Sequence, residues 1–272
     1  MFNFKKRIWT VLLFVSTMIS GFLLLQTIPA QGFAGTQTID TIGVYRPGEA
    51  KFYLKYSIAS GISDTDFVYG IRGDIPIVGD WTGKGYGSIG IYRPSEAKFY
   101  LKYSNTTGNA DVSFVYGIPG DIPIVGDWTG KGYDSIGIYR PSEAKFYLKN
   151  SNTTGNADIS FVYGIRGDIP IAGDWTGKGY DSIGVYRPSE AKFYLKNSNT
   201  TGISDTDFVY GIRGDIPIVG NWSGKGYDSI GIYRPSEAKF YLKNSNTTGN
   251  ADVSAVYGIT SDIPLAGQWR RR

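Results

Sequence analysis

The sequence of 272 residues lacks Cys and His altogether and contains only two Met. Because there is no Cys, no disulfide framework can hold the fold, and packing alone must do so. Because there is no His, the chain lacks the commonest general base and a common zinc or copper ligand. Catalytic sets of the Ser-His-Asp and Cys-His kinds are therefore excluded. We expect a protein that is not an enzyme.

Net charge is also small outside the two ends of the chain. The formal net charge is +4, with Lys5, Lys6 and Arg7 near the N-terminus and three Arg at 270–272. The long segment between these clusters is close to neutral, which argues against a nucleic-acid partner. Aromatic residues make up 15% of the chain, and there are 37 Gly. This composition favours β-strands joined by tight turns.

The N-terminus has the pattern of a targeting segment. Three basic residues precede a run of 21 mostly apolar residues at 8–28, and Pro29 and small residues such as Gly32 and Ala34 follow. This order is typical of a signal peptide, and we place cleavage after Ala34, with Gly32 as the alternative. The run is also nearly long enough to span a membrane, so a retained N-terminal anchor is the other interpretation. Both predict an extracellular or cell-surface protein, with a signal segment at 1–34 and the folded domain at 35–272.

The domain is built from an internal repeat of 47 residues. Asp-Ile-Pro, Tyr-Arg-Pro and a single Trp each recur at this spacing without any insertion. Tyr-Arg-Pro begins at Tyr45, Tyr92, Tyr139, Tyr186 and Tyr233, and the Trp stands at Trp81, Trp128, Trp175, Trp222 and Trp269. A fixed period of this length indicates a repeat architecture.

One repeat predicts four short strands, at residues 75–81, 88–93, 97–102 and 112–116. In the third, Ala97, Phe99 and Leu101 are expected to point inward. The residues that alternate with them, Lys98, Tyr100 and Lys102, are expected to point outward. Four strands per repeat and five repeats are typical of a β-propeller. The chain enters on a second strand, at 41–46, and leaves on a first strand, at 263–269. We therefore predict an all-β, five-bladed propeller whose ring is closed by the C-terminal strand.

The segment Gly-Asp-Trp-Thr-Gly-Lys-Gly-Tyr-Asp-Ser-Ile-Gly-Ile-Tyr-Arg-Pro, at 126–141, resembles the FG-GAP/VCBS-like repeats of secreted bacterial proteins. The preceding Tyr-Gly-Ile-x-Gly-Asp-Ile-Pro agrees with the same pattern, and the resemblance extends over about 38–272. It implies propeller blades, often with Ca²⁺ in the turn between the first two strands. It also implies a role in adhesion, in carbohydrate binding or beside hydrolases.

The turn departs from that family at its acidic positions. Thr129 and Lys131 stand where the second and third acidic residues are expected, and Ser135, beside Asp134, stands at the last. Since Ca²⁺ requires about 6–8 oxygen ligands, we expect no calcium and no other cofactor. One interpretation is that the Lys131 ammonium group replaces the ion by pairing with Asp127 and Asp134. Lys84, Lys178 and Lys225 would act likewise. The other is that these lysines are simply solvated.

Two further sets of charged residues have structural interpretations. Asp74 and Asp80, with their repeats, are expected to cap backbone N–H groups in turns rather than to act as paired catalysts. The arginines of Tyr-Arg-Pro are expected to bridge blades to a neighbouring Asp. They are Arg46, Arg93, Arg140, Arg187 and Arg234.

Aromatic residues beside the Gly-rich turn are the best binding candidates, because Trp and Tyr stack on sugar rings and also anchor protein interfaces. They are Trp81, Trp128, Trp175, Trp222, Tyr86, Tyr133, Tyr180 and Tyr227. The alternative for the tryptophans is packing between blades, since large aromatic side chains are mostly buried.

The sequence supports two functions. The first is a multivalent binding module, lectin-like, in which several weak sites gain avidity on a glycan surface. The second is a structural or adhesion protein that contacts cell-surface proteins and binds no small ligand. Membrane contact is expected only through an uncleaved N-terminal anchor. Nearly identical repeats could also exchange between chains, which leaves the oligomeric state open.

Overall fold

The computed structural model describes residues 39–269, all within a single compact unit, and the expectations for the signal segment at 1–34 lie outside the described residues. The described part is a five-bladed β-propeller of twenty strands, as predicted. Within 39–269, no helix has both the length and the apolar character to cross a membrane.

Each blade is a four-stranded antiparallel sheet. Blade I consists of β20 (Ile263–Gly267), β1 (Thr41–Arg46), β2 (Lys51–Leu54) and β3 (Thr65–Val68). Blade II consists of β4 (Ile75–Gly79), β5 (Ser88–Arg93), β6 (Lys98–Leu101) and β7 (Val112–Val115). Blade III consists of β8 (Ile122–Gly126), β9 (Ser135–Arg140), β10 (Lys145–Leu148) and β11 (Ile159–Val162). Blade IV consists of β12 (Ile169–Gly173), β13 (Ser182–Arg187), β14 (Lys192–Leu195) and β15 (Thr206–Val209). Blade V consists of β16 (Ile216–Gly220), β17 (Ser229–Arg234), β18 (Lys239–Leu242) and β19 (Val253–Val256), with a short 3₁₀ helix at Pro235–Glu237.

The ring is closed by the C-terminal strand, which confirms the prediction. Strand β20 pairs with β1, and Thr41 faces Gly267 while Tyr45 faces Ile263. The first strands of the blades, β4, β8, β12, β16 and β20, contact one another in turn around the axis. Closure gives both ends of the described chain a partner strand, so blade I has the same four strands as the other blades.

Apolar clusters hold neighbouring blades together. In blade II, Tyr92 and Phe99 lie with ring centroids 4.7 Å apart, and Phe99 stacks on Phe114 at 5.6 Å. This group packs against Ile136 and Ile138 of blade III in one continuous cluster. The other interfaces repeat the arrangement. Each fully buried aromatic or aliphatic side chain contributes roughly 1.5–3 kcal/mol, so the blades are stable as a ring rather than one by one.

Two details of the predicted strands are wrong. Ala97 belongs to the turn and not to β6, because its backbone is left-handed, with φ of 47°. Its counterparts in the other four repeats have φ of 47–48°. Lys102 was expected to point outward but is buried, since its Nζ donates to the Asn109 carbonyl at 3.1 Å. That bond ties the end of β6 to the loop before β7.

Candidate binding site

The four tryptophans proposed above as ligand contacts are buried between blades. Their exposed fractions are 3–8%, at Trp81, Trp128, Trp175 and Trp222. Trp81 lies in the cluster that joins blade II to blade III. Its Nε1 donates to the Ile89 carbonyl at 3.3 Å. The indole faces are therefore covered by protein, and the packing interpretation is the one that the structure supports.

The inner strand ends in Gly because the following indole folds back over it. A Cβ on Gly126 would lie 2.8 Å from Cζ3 of Trp128 and 2.9 Å from Cβ of Asp181. Both distances are shorter than non-bonded carbon atoms tolerate. The tight approach lets each Trp fill the space between two blades at the end of the inner strand.

The four predicted tyrosines lie beside the Gly-rich turns and are half-buried. They are Tyr86, Tyr133, Tyr180 and Tyr227. The Tyr227 hydroxyl donates to the Asn244 carbonyl at 2.9 Å, in the loop after the third strand of the same blade. These rings support their own turns, and no cavity among the described pockets is lined by them.

The Gly-rich turn is organised by its first aspartate and not by a lysine. Asp127 accepts three backbone N–H groups of its turn, from Thr129 at 3.1 Å, Lys131 at 3.2 Å and Gly132 at 2.6 Å. The Lys131 side chain is exposed and forms no ion pair with described residues, so the proposal that it replaces a calcium ion is wrong. The capping role predicted for these aspartates is confirmed. Within 39–269, no group of three or more acidic side chains could hold a metal ion.

The arginines of Tyr-Arg-Pro bind aspartates, but within one blade rather than between two. Arg93 Nε and Nη2 donate to the two carboxylate oxygens of Asp74 at 2.8 and 2.9 Å. The register that sets Ile75 opposite Tyr92 also sets Asp74 beside Arg93. Asp74 in addition accepts the N–H of Ile71 at 2.8 Å, in the connection from blade I. The ion pair therefore fastens the incoming connection to blade II.

Cavities lie between the outer parts of adjacent blades. We name each inter-blade groove by its two blades. The I/II, II/III and IV/V grooves hold cavities of about 470, 460 and 500 Å³. In the II/III groove, Tyr116 contributes one wall from blade II, while Arg140, Tyr147, Asn156 and Ser160 line the other from blade III. Ligand cavities of small molecules commonly measure roughly 300–1,000 Å³, so each groove has room for a saccharide unit.

Polar groups and aromatic faces alternate along the wall of the groove. Arg140 lies 4.7 Å from the centroid of the Tyr147 ring, and Lys145 lies 4.7 Å from the same ring. The Tyr147 hydroxyl donates to Glu143 at 2.7 Å. This wall offers a polarised aromatic ring beside donors held in place, which is the chemistry that binds hydroxyl-rich molecules.

The Tyr116 hydroxyl is buried in the same groove and has no hydrogen-bond partner in the protein. Its side chain is only 6% exposed. Burial, followed by the nearby charge of Asp158, raises the pKa of Tyr116 well above its usual value, so the hydroxyl stays protonated. A buried hydroxyl without a partner costs about 1–3 kcal/mol. A bound molecule that accepted this hydrogen bond would recover that cost.

These groove residues were not among the binding residues predicted from the sequence. Tyr147 belongs to the outward-pointing set of the third strand, and Tyr116 follows the fourth strand. Neither position differs in pattern from an ordinary surface or core tyrosine. The only signal was the recurrence of two tyrosines on strands that face a neighbouring blade.

A ring of aspartates surrounds the axis at the opposite end of each inner strand from the Arg–Asp pairs. Asp134 N donates to the Asp80 carbonyl at 2.8 Å, and Asp134 Oδ2 accepts the Asp80 N–H at 2.7 Å. Asp181, Asp228 and Asp40 make the same reciprocal contacts with the preceding blade. The fifth equivalent position is Gly87.

These carboxyl groups are hard to ionise. Burial, together with the charges of Asp80, Asp127 and Asp40, raises the pKa of Asp134 to about 6. Burial and the Asp40 charge raise the pKa of Asp228 to about 7. The pKa of Asp181 is raised well above its usual value by burial and by its neighbours in the ring. The axis thus gathers carboxyl groups whose ionised forms are disfavoured by burial and by one another's charge.

Comparison with known proteins leaves the chain without an assigned family. No family model and no curated protein matches it. The solved structure of BBS1N in complex with ARL6DN, soaked with mercury, is similar over 70% of this chain, with 11% sequence identity and a TM-score of 0.37. The match spans 62% of that chain, which is less than two thirds of its length. The resemblance to FG-GAP/VCBS-like repeats therefore stays a prediction.

Proposed function

We propose that the protein is a non-enzymatic, multivalent binding module that takes carbohydrate in its inter-blade grooves. The observation that carries this proposal is the recurrence of a cavity of about 460–500 Å³ at equivalent places around the ring. Each has two tyrosines and an arginine in its wall. Such repetition suits a ligand that itself repeats, because several weak contacts on one surface add up to strong binding.

The ring is a stiff frame for such sites. The Arg–Asp pairs, the Trp clusters and the strand pairing hold the walls of each groove in place before a ligand arrives. Preformed walls lower the entropic cost of binding. The absence of His and Cys from the sequence supports a role without catalysis. We expect the protein to act outside the cell, as the basic and apolar N-terminal segment suggests.

A glycan array probed with the purified protein tests this proposal. We expect saturable binding to one class of sugar, with and without added Ca²⁺. A triple variant that carries Tyr69→Phe, Tyr116→Phe and Tyr210→Phe removes one groove hydroxyl per cavity and keeps the ring, so it should weaken binding at least several-fold. The matched control is Tyr133→Phe, which lies outside the grooves and should bind like the wild type. A blank array from a folded protein would contradict the proposal.

Exposed apolar side chains support a second candidate, the binding of a protein on the cell surface. The connection between blades carries an isoleucine that is 46–54% exposed in every repeat. They are Ile71, Ile118, Ile165, Ile212 and Ile259. Apolar side chains that recur on one rim are typical of a protein interface. Binding to whole cells separates the two candidates, since periodate would remove a glycan receptor and protease would remove a protein one.

A further inference from the structure

The five grooves are of two kinds, which differ in the loop before the fourth strand. In blades II, III and V this loop reads Asn-Ala-Asp, and in blades I and IV it reads Ile-Ser-Asp. The three cavities described above are the I/II, II/III and IV/V grooves, and each is lined by an Asn-Ala loop. We call these the Asn-Ala grooves. The III/IV and V/I grooves, which receive the loops of blades IV and I, are the Ile-Ser grooves.

The two kinds differ in charge on the groove wall. Across the third and fourth strands, Tyr147 faces Ser160 in an Asn-Ala groove, whereas Tyr194 faces Asp207 in an Ile-Ser groove. Asp207 forms an ion pair with Lys192. In the other Ile-Ser groove, Asp66 and Lys51 pair in the same way. The carboxylate adds a negative charge and engages the lysine that otherwise lies free over the tyrosine ring.

The two kinds also differ in the loop residue near the buried tyrosine, which is Ala or Ser. In the II/III groove the loop residue near Tyr116 is Ala157. In the III/IV groove the Ser204 hydroxyl lies beside Tyr163 and partly offsets the rise of its pKa, and Ser63 acts likewise on Tyr257. Neither contact has the geometry of a full hydrogen bond. An unpartnered tyrosine hydroxyl therefore occurs in both kinds of groove, and in the I/II groove the Tyr69 hydroxyl donates to the Tyr100 carbonyl at 3.3 Å.

The V/I groove is additionally bridged at its edge. The N–H of Val256, at the end of blade V, donates to the hydroxyl of Ser60 in the loop of blade I at 2.9 Å. The equivalent loop position in blades II, III, IV and V is Thr.

We propose that only the three Asn-Ala grooves bind ligand, and that the ligand they accept is a saccharide. In these grooves the lysine is unpaired with any described carboxylate, and a serine rather than an aspartate lies opposite the tyrosine across the third and fourth strands. This inference rests on the proposed function and deepens it, because it sets the number of sites at three and not five.

Exchange of loop residues between the two kinds of groove tests the inference without introducing any residue that the chain does not already carry at an equivalent position. The quadruple variant Ile203→Asn, Ser204→Ala, Thr206→Val and Asp207→Ser converts the III/IV groove into an Asn-Ala groove. The reverse variant, Asn156→Ile, Ala157→Ser, Ile159→Thr and Ser160→Asp, converts the II/III groove into an Ile-Ser groove.

The number of bound sugars is counted by native mass spectrometry at saturating concentrations of methyl glucoside, methyl galactoside, methyl mannoside and N-acetylglucosamine, each tested alone. We expect three sugars per wild-type chain for the sugar that binds, four for the converted III/IV variant and two for the reverse variant. Equal melting temperatures of the three proteins serve as the folding control.

Five sugars on the wild type, or a count that neither exchange changes, would overturn the inference and leave the proposed carbohydrate function standing. Failure of every sugar to bind the folded wild type, together with a blank glycan array, would overturn both. A single sugar per chain, unaffected by the exchanges, would place the site outside the grooves.

Discussion

Replacing Asp228 by Asn removes one charge from the aspartate ring around the axis, and we expect the folded domain to become more stable at neutral pH. The burial that raises the pKa of Asp228 from 3.8 to about 7 penalises the ionised form. A carboxyl group whose pKa is higher in the folded than in the unfolded state stabilises the fold most at low pH. Its contribution is lost as the pH rises from about 4 to about 7. Asparagine keeps an oxygen that accepts the Asp174 N–H, now at 2.9 Å from the carboxylate, but it cannot ionise.

The size of the expected gain in stability follows from the pKa shift of Asp228. About three pKa units at roughly 1.4 kcal/mol each would give ~4 kcal/mol for a fully shielded group. The side chain is partly accessible to solvent, which screens its charge, so we expect ~1–2 kcal/mol at pH 8. For a domain of this size that corresponds to a rise in Tm of roughly 2–8 °C. At pH 4 the two proteins should melt together, because both carry a neutral side chain there.

The assay is thermal unfolding followed by tryptophan fluorescence between pH 4 and pH 8. Gly87 offers a matched test in the opposite direction, since the ring position it occupies holds Asp in the other four repeats. Gly87→Asp should lower Tm at pH 8 relative to Gly87→Asn and leave the pair equal at pH 4. A difference between Asp228→Asn and the wild type that is the same at both pH values would refute the reasoning.

Three further predictions concern the frame of the ring. Deletion of residues 262–272 removes the closing strand. The lost burial of its Leu and Trp alone costs about 5 kcal/mol, so the truncated protein should lose cooperative unfolding. An unchanged melting temperature would contradict closure. Arg140→Lys keeps the charge but loses the two-pronged contact with a buried carboxylate, and urea unfolding should show a loss of roughly 1–3 kcal/mol. Gly126→Ala forces a methyl group into Trp128 and should cost at least ~1–3 kcal/mol, whereas Gly48→Ala, with open space around it, should change stability by less than ~0.5 kcal/mol.

The repeat made the fold predictable because each copy carries the same strand and turn signals at the same spacing. Four alternating segments per 47 residues determine a blade, and the offset between the first and last strands determines ring closure. The errors were local. Ala97 lies in the turn because its left-handed backbone completes the Pro-Ser-Glu turn, and a strand pattern does not show the sign of φ.

The binding candidates were less predictable. Trp128 and Tyr133 combine large aromatic surface with a Gly-rich turn, and that pattern is the same for a buried wedge and for an exposed platform. Only the packing of a neighbouring blade distinguishes the two, and it covers the indole. Likewise, the sequence does not distinguish a turn lysine that replaces a calcium ion from one that is solvated. In the structure, backbone N–H groups surround Asp127 and take the place of any such cation.

What the sequence by itself determined is the architecture, since strand number, turn placement and ring closure depend on local patterns repeated along the chain. It also determined the absence of His and Cys chemistry. Tertiary structure alone decided where open space remains. The II/III groove, for example, is formed by two blades whose facing residues are some 20–50 positions apart in sequence, such as Tyr116 with Arg140, Tyr147, Asn156 and Ser160. No local pattern records which side chains will meet there, because their contact depends on how the blades pack around the axis.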